Sequence, residues 1–421
     1  MSDKRSYQKS LRLYEGSKKF LIPGGSTISK RPDLYPFGAY PIYLEKGDGA
    51  IVTDIDQNEY IDFQSALGAI ILGYNYGITN QAIETQLKKG VLFSLSTPLS
   101  IKLAEKICHH VPCAQRVRIL KNGSDATSAA VRIARAYTGR MKILYCHYHG
   151  WHDWYYISTG LNRGISKDLS KDIIYFEYGN IDKLRQIIAA NKDEIAAIIM
   201  EPVKLEHHPQ HFLPEVRQLT QDNNILLIFD EVVTGFRFAL GGGQSYFDVT
   251  PDIACFAKAL GNGVAISAVA GLEKVMESTK DVVSTQTYAE ECLALASAIS
   301  TIEMLEKAPV IEHIWNLGSY FQKSYNQLAK AYNIPTKCIG FPPRLEFKFE
   351  SIKGWTPKEI KSYFLQETAN DGILFGHHIF MTYSHTEEHI NTAIKSCENI
   401  FKKLNTLVSL EFKGNHIVEL W

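Results

Sequence analysis

The chain has 421 residues, 45% of them hydrophobic, and its 45 basic and 45 acidic side chains balance. That length can bury one large core or two to three smaller ones, and the even charge leaves no electrostatic footprint for nucleic acid or an anionic membrane. No apolar run approaches membrane-spanning length, and the first residues, MSDKRSYQKS, lack a signal-peptide core. The seven cysteines are scattered, odd in number and without a C-x-x-C pair, which argues against a disulfide framework or zinc site and suits a reducing compartment. A cytoplasmic protein that handles small molecules is expected, with no metal assigned.

Residues 1–20 carry the pattern of a short amphipathic helix. A Pro23-Gly24-Gly25-Ser26 loop and a Pro- and Tyr-rich stretch follow. Tyr43–Phe63 reads as a small antiparallel meander whose turns, Lys46–Gly49 and Asp56–Asn58, explain its acids better than metal binding does. Helices are expected from Asn80 to about Lys89 and from Pro98 to His110.

Arg116–Leu120 reads as a strand running into KNGSDAT and then the Ala- and Arg-rich helix ATSAAVRIARAYTGR. Strand, Gly-Ser turn and helix is a geometry in which backbone N–H groups and the helix dipole hold a phosphate, although Ser and Asp are also ordinary helix caps. Lys142–Cys146 is the next strand and ends at HYHGWHDWYY. The spacing of His147, His149 and His152 gives no regular metal-ligand geometry. Aromatic side chains lining a pocket, with Tyr148 or Trp151 stacking on a flat ring, fit better; simple packing is the plainer alternative.

Ile195–Met200 and Ile225–Phe229 are unbroken apolar runs, as expected of strands buried on both faces of a parallel sheet. Strands and helices alternate from about residue 115 to 270, which predicts α/β architecture. Beyond Cys292, helices near 293–307, 311–332, 357–371 and 387–407, with strands near 344–349 and 373–375, predict a smaller α+β domain.

Two residues near the Ile225 strand carry chemistry. Asp230 lies where that strand should end, the side of an open α/β sheet on which ligands sit. Lys258 is enclosed by Ala257, Ala259 and Leu260, and apolar surroundings disfavour an ammonium. A neutral amine forms a Schiff base with an aldehyde, and a carboxylate can hold a pyridine nitrogen protonated; pyridoxal phosphate requires both. The plainer alternatives are a helix-capping Asp and a lysine that snorkels to solvent.

NGSDATSAAVRIARAYTGR, YHGWHDW, EPV, LLIFDEVVTGFRFALGGGQSYFDVTPDI and AKALGNG together resemble the class III pyridoxal-phosphate aminotransferases, the glutamate-1-semialdehyde aminomutase branch most. The likeness runs from Pro23 to about Glu306, and Lys258 lies 28 residues after Asp230. It implies fold type I, with a large domain on a mostly parallel seven-stranded sheet (residues 66–305), a C-terminal small domain (306–421), and a segment 1–65 contributing to the small domain and the dimer.

The resemblance implies Lys258 as the Schiff-base lysine and proton shuttle and Asp230 as the pyridinium partner. Gly123, Ser124 and Asp125 would hold the phosphate, with Tyr148 and Val232 on the two ring faces. A homodimer with shared active sites is implied, Thr287 of the neighbouring chain completing the phosphate site. The sequence departs from the family where Tyr288-Ala289-Glu290-Glu291-Cys292 replaces Ser-Gly-Asn-Pro, and where Lys204-Leu205-Glu206 follows EPV. KNGSDATSAAVR, YHGWHDW and GAYPIYL are more similar to homologues linked to surface polysaccharides. That points to amino transfer from an amino-acid donor to a small carbonyl acceptor, a sugar or polyol precursor. An intramolecular aminomutase, a racemase, a decarboxylase and a non-catalytic binding protein are the competing readings.

Overall fold

A computed structural model describes residues 5–22, 26–206, 209–352, 354–406 and 414–418. The predicted Pro23–Gly25 loop start lies outside the described residues. Two compact units form, one from 68–70 and 77–311, the other from 1–67, 71–76 and 312–421.

The 68–70/77–311 unit is built on a seven-stranded sheet. Its strands are β1 (Arg116–Leu120), β2 (Lys142–Tyr145), β3 (Ile173–Tyr175), β4 (Ile195–Met200), β5 (Leu226–Asp230), β6 (Ile253–Phe256) and β7 (Ser267–Gly271). The order across the sheet is β1-β7-β6-β5-β4-β2-β3. β7 runs antiparallel to β6 and to β1, and the other pairings are parallel. Six strands therefore point their carboxyl ends to one edge, β1 among them because two antiparallel steps restore its direction.

Strand periodicity divides the side chains between two cores. Leu226 and Ile228 pack with Ile143, Ala197, Ile199 and the Ala126–Ala134 face of the helix Gly123–Thr138. Leu227 and Phe229 pack with Leu144, Ile198 and residues of the helices Ile181–Ala190 and Phe212–Asp222. Helices cover both faces, which is why β4 and β5 are apolar at every core position. Asp230 is the last residue of β5 rather than the first beyond it. Its parity with Ile228 aims the carboxylate toward the side of the Gly123 helix.

In the other unit, Leu44–Asp48, Ile51–Asp54 and Glu59–Asp62 form the antiparallel meander that the turn residues predict, and Ile373–Leu374 adds a parallel strand beside the third. Thr336–Phe341 and Arg344–Phe349 form a two-stranded ribbon. The helices Pro357–Asn370 and Glu387–Thr406 follow near their predicted bounds, while the N-terminal helix is shorter than expected, at Gln8–Ser17. No helix among the described residues is long and apolar enough to cross a membrane.

Candidate active site

The carboxyl edge of the seven-stranded sheet gathers most of the chemistry-bearing residues. β1 delivers Gly123 and Ser124, β2 the loop 146–152, β5 Asp230, and β6 Lys258, the second residue past its end. Asp230 pairs in register with Cys255 on β6, so the carboxylate and the lysine leave adjacent parallel strands at nearly the same height.

Asp230 is 4% exposed, and each of its oxygens is engaged. Oδ1 accepts the Val232 N–H at 3.1 Å and Oδ2 lies 2.8 Å from His149 Nδ1. The His149 Nε2 is 2.6 Å from the Cys146 carbonyl, which can only accept, so Nε2 carries a hydrogen. A second proton must then bridge Nδ1 and Oδ2, since two lone pairs would otherwise face each other. His149 and Asp230 thus form a buried hydrogen-bonded pair in which the imidazole fixes the carboxyl group. Sequence reasoning weighs His149 only as a metal ligand and sets that reading aside. Stacking does occur, on Trp154 at 6.3 Å between centroids, but the hydrogen bonds define its place.

The phosphate-type turn is present. The helix Gly123–Thr138 begins after Asn122, whose N–H donates to Asp125 Oδ2 at 2.7 Å. Asn122 and Asp125 therefore cap the helix between them, and Ser124 is not the cap. Ser124 Oγ instead accepts the Trp151 N–H at 3.2 Å. A Cβ on Gly123 would lie 3.0 Å from Val232 Cγ1. A Cβ on Gly150, at φ +100°, would run into Ser124 Oγ. Contacts therefore close a circuit: Asp230 to Val232, Val232 to Gly123, Ser124 to Trp151, and His149 back to Asp230.

Lys258 opens a short 3-10 turn, Lys258–Gly261, with φ 45°. A left-handed conformation is uncommon for a non-glycine residue and marks sites where surroundings impose geometry. Ala257, Ala259 and Leu260 are buried, as the sequence suggests, and the lysine itself is half-buried. Tyr148 is 53% exposed and meets Tyr155 edge-on at 5.5 Å. Desolvation, with smaller contributions from Tyr156 and the Asp230 charge, pushes its phenol up to about 12, so the hydroxyl stays protonated at working pH.

Glu231 is fully buried and tethers the glycine-rich loop beyond β5. It accepts from Thr234 Oγ1 at 2.5 Å, Gly243 N at 2.6 Å and Gln244 N at 2.9 Å. Burial raises its carboxyl above the usual range against the pull of those donors. Thr287 is exposed and follows Gln286, whose side chain accepts the Lys121 N–H at 3.1 Å.

The acids that distinguish this sequence near Thr287 have structural work. Glu291 caps the helix Cys292–Lys307 through Leu293 N (2.7 Å) and Ala294 N (3.2 Å) and meets Lys121 Nζ at 3.2 Å. Glu290 accepts the Thr97 N–H at 3.2 Å. In the other unit, Glu346, His377 and His378 have ligand atoms close enough to surround a cation, but Arg344 Nη2 already lies 3.3 Å from His378 Nε2.

Comparison with known proteins identifies the family and the fold. The chain matches the family "Aminotransferase class-III" over residues 36–401. It is 35% identical to the 3-aminobutyryl-CoA aminotransferase of Cloacimonas acidaminovorans, covering 94% of this chain and 97% of that protein. It is 34% identical to glutamate-1-semialdehyde 2,1-aminomutase 2 of Lachnoclostridium phytofermentans, covering 85% and 89% respectively. The PLP internal aldimine form of the FumI protein of Sphingopyxis sp. MTA144 superposes with a TM-score of 0.90 at 25% identity, over 96% of this chain and 99% of that one. The chain belongs to the class III aminotransferases, on a fold type I α/β scaffold.

Proposed function

We propose that the chain uses pyridoxal phosphate to move an amino group from an amino-acid donor to a small carbonyl acceptor, with Lys258 and Asp230 as catalytic residues. The observation that carries this reading is the closed circuit at the carboxyl edge. It pairs a hydrogen-bonded carboxylate with a phosphate-type helix start and sets a lysine on the neighbouring strand.

The residues fit the cofactor. Gly123 presents backbone at the helix N-terminus where a side chain would strike Val232, leaving the N–H groups of Gly123 and Ser124 to hold an anion, while the Asp125 N–H donates to the Asn122 carbonyl at 3.0 Å and Asp125 shapes the turn through its side chain. The Trp151 N–H occupies one lone pair of Ser124 Oγ, so the serine's own proton is directed elsewhere, toward a phosphate oxygen. When bound, pyridoxal phosphate supplies an aldehyde that takes up amines and a cationic ring that withdraws electrons. Asp230, fixed by Val232 and His149, keeps the proton on the ring nitrogen. Lys258 Nζ would hold the cofactor through its aldehyde and, as an amine free to take and give a proton, would serve as the proton shuttle that amino transfer requires. Tyr148 and Val232 would flank the ring, and Thr287 of a second copy would complete the phosphate site in a homodimer.

For the acceptor we propose a sugar or polyol precursor of a surface polysaccharide, a reading that rests on the KNGSDATSAAVR, YHGWHDW and GAYPIYL stretches. The second reading, an intramolecular aminomutase, is favoured by the 34% identity to an aminomutase and by the structural use of Glu290 and Glu291, which removes them as a mark against it. Activity measured with and without an external amine donor separates the two. Turnover that requires the donor supports transamination, and turnover without it assigns the aminomutase reaction.

A further inference from the structure

The loop between β2 and the short helix Asp153–Tyr156 reaches both ends of the site, His149 at Asp230 and Trp151 at Ser124. Its backbone is in the left-handed region at His147 (φ 73°) and Gly150 (φ 100°), so it needs anchoring to keep that shape. The anchors come from one face of the Gly123 helix, where Ser124, Thr127 and Ser128 stand at i, i+3 and i+4. Thr127 Oγ1 donates to the His149 carbonyl at 2.8 Å. Ser128 Oγ takes the Trp154 indole N–H at 2.9 Å and lies 2.6 Å from His152 Nδ1.

An indole N–H only donates, so Ser128 Oγ accepts from Trp154 and shares a second hydrogen bond with His152 Nδ1, in which the histidine tautomer decides the donor. The other ring nitrogen of His152, Nε2, faces Asp125 Oδ1 at 3.7 Å, while Asp125 Oδ2 holds the Asn122 N–H at the start of the helix. None of these groups touches the reacting atoms, yet together they fix where the loop sits on the helix.

We infer that Ser128 and His152 are a clasp that sets the spacing between the phosphate grip at Ser124 and the carboxylate at Asp230; both are positioning residues. The inference rests on the pyridoxal-phosphate reading above. Without the clasp the strained loop relaxes, the Trp151 N–H leaves Ser124 Oγ, and the serine proton loses its direction toward the phosphate.

The test uses the full chain with pyridoxal phosphate as the probe and does not depend on turnover. Dissociation constants from absorbance titration, the 31P resonance of the bound phosphate and the melting temperature of the cofactor-free protein are compared for Ser128→Ala, His152→Ala and His152→Asn. Asparagine can offer Oδ1 where His152 offers Nδ1. Ser128→Ala and His152→Ala should weaken binding about tenfold, the worth of one good hydrogen bond. They should also move the 31P resonance toward that of the unbound cofactor, with the cofactor-free melting temperature unchanged. His152→Asn should restore most of the affinity. Binding within about twofold of wild type in both alanine variants, well below the tenfold worth of one such bond, overturns the inference. So does a loss that tracks a fall in cofactor-free stability and that asparagine does not rescue. If the unaltered protein itself fails to bind pyridoxal phosphate, the parent reading fails instead.

Discussion

His149→Phe is the perturbation that probes the site most sharply, because sequence motifs do not single this residue out as part of the chemistry. The imidazole is 1% exposed and makes two short bonds, 2.8 Å to Asp230 and 2.6 Å to the Cys146 carbonyl. Phenylalanine is large enough to fill the space, so no cavity opens. The charge-assisted bond to Asp230 contributes about 1.5–3 kcal/mol, and an orphaned buried carbonyl costs about 1–3 kcal/mol. A net destabilisation of about 3 kcal/mol follows, which lowers the melting temperature by roughly 6–12 °C for a unit of this size.

The catalytic effect has a separate source. Without the imidazole, Asp230 loses the partner that fixes one of its oxygens, and about 1.5–3 kcal/mol for that bond corresponds to a hold on the ring-nitrogen proton weaker by about tenfold to a hundredfold. Stopped-flow bleaching of the cofactor absorbance by an amine donor should therefore slow about tenfold to a hundredfold, with cofactor affinity changing much less. A half-reaction rate within about twofold of wild type, far short of that tenfold effect, would show that His149 only packs, and its role in fixing Asp230 would fall.

Lys258→Ala should abolish turnover and the Schiff-base absorbance, checked by spectrum and product assay, while the protein still binds the cofactor through its phosphate. Asp230→Asn should keep cofactor binding and lose most of the half-reaction rate, which single-turnover kinetics would reveal. Glu231→Gln swaps an acceptor oxygen for a donor facing backbone N–H groups, and leaving one buried donor unsatisfied costs about 1–3 kcal/mol, readable by thermal melts. Because burial raises the Glu231 carboxyl, its neutral form favours the fold. That contribution is present at acid pH and lost as pH rises through the raised pKa, so Glu231→Gln should flatten the rise in relative stability toward low pH. The Tyr148 phenol should ionise near pH 12 rather than its ordinary 10, seen as the difference in ultraviolet titration between the wild type and Tyr148→Phe.

Much of the fold was legible because burial imposes period. The apolar runs of β4 and β5 read as strands buried on both faces, and the turn acids of 43–63 read as a meander. Asp230 and Lys258 were legible from their surroundings, a strand end and an apolar flank. His149 was not, because its partner lies 81 residues away and the histidines were judged by metal-ligand spacing. The signal that was present is positional: His149 closely follows β2, whose carboxyl end shares an edge with that of β5. The roles of Glu290 and Glu291 were likewise hidden. Glutamate is a weaker cap signal than Ser or Asp, and a departure from the family pattern does not reveal which backbone groups an acid will meet.

The most direct test is the visible spectrum of the purified protein with pyridoxal phosphate, before and after adding glutamate, beside Lys258→Ala. The account predicts a yellow band that bleaches with the donor in the wild type and is absent in the variant. A wild type that forms no band, or a variant that still turns over, would contradict it.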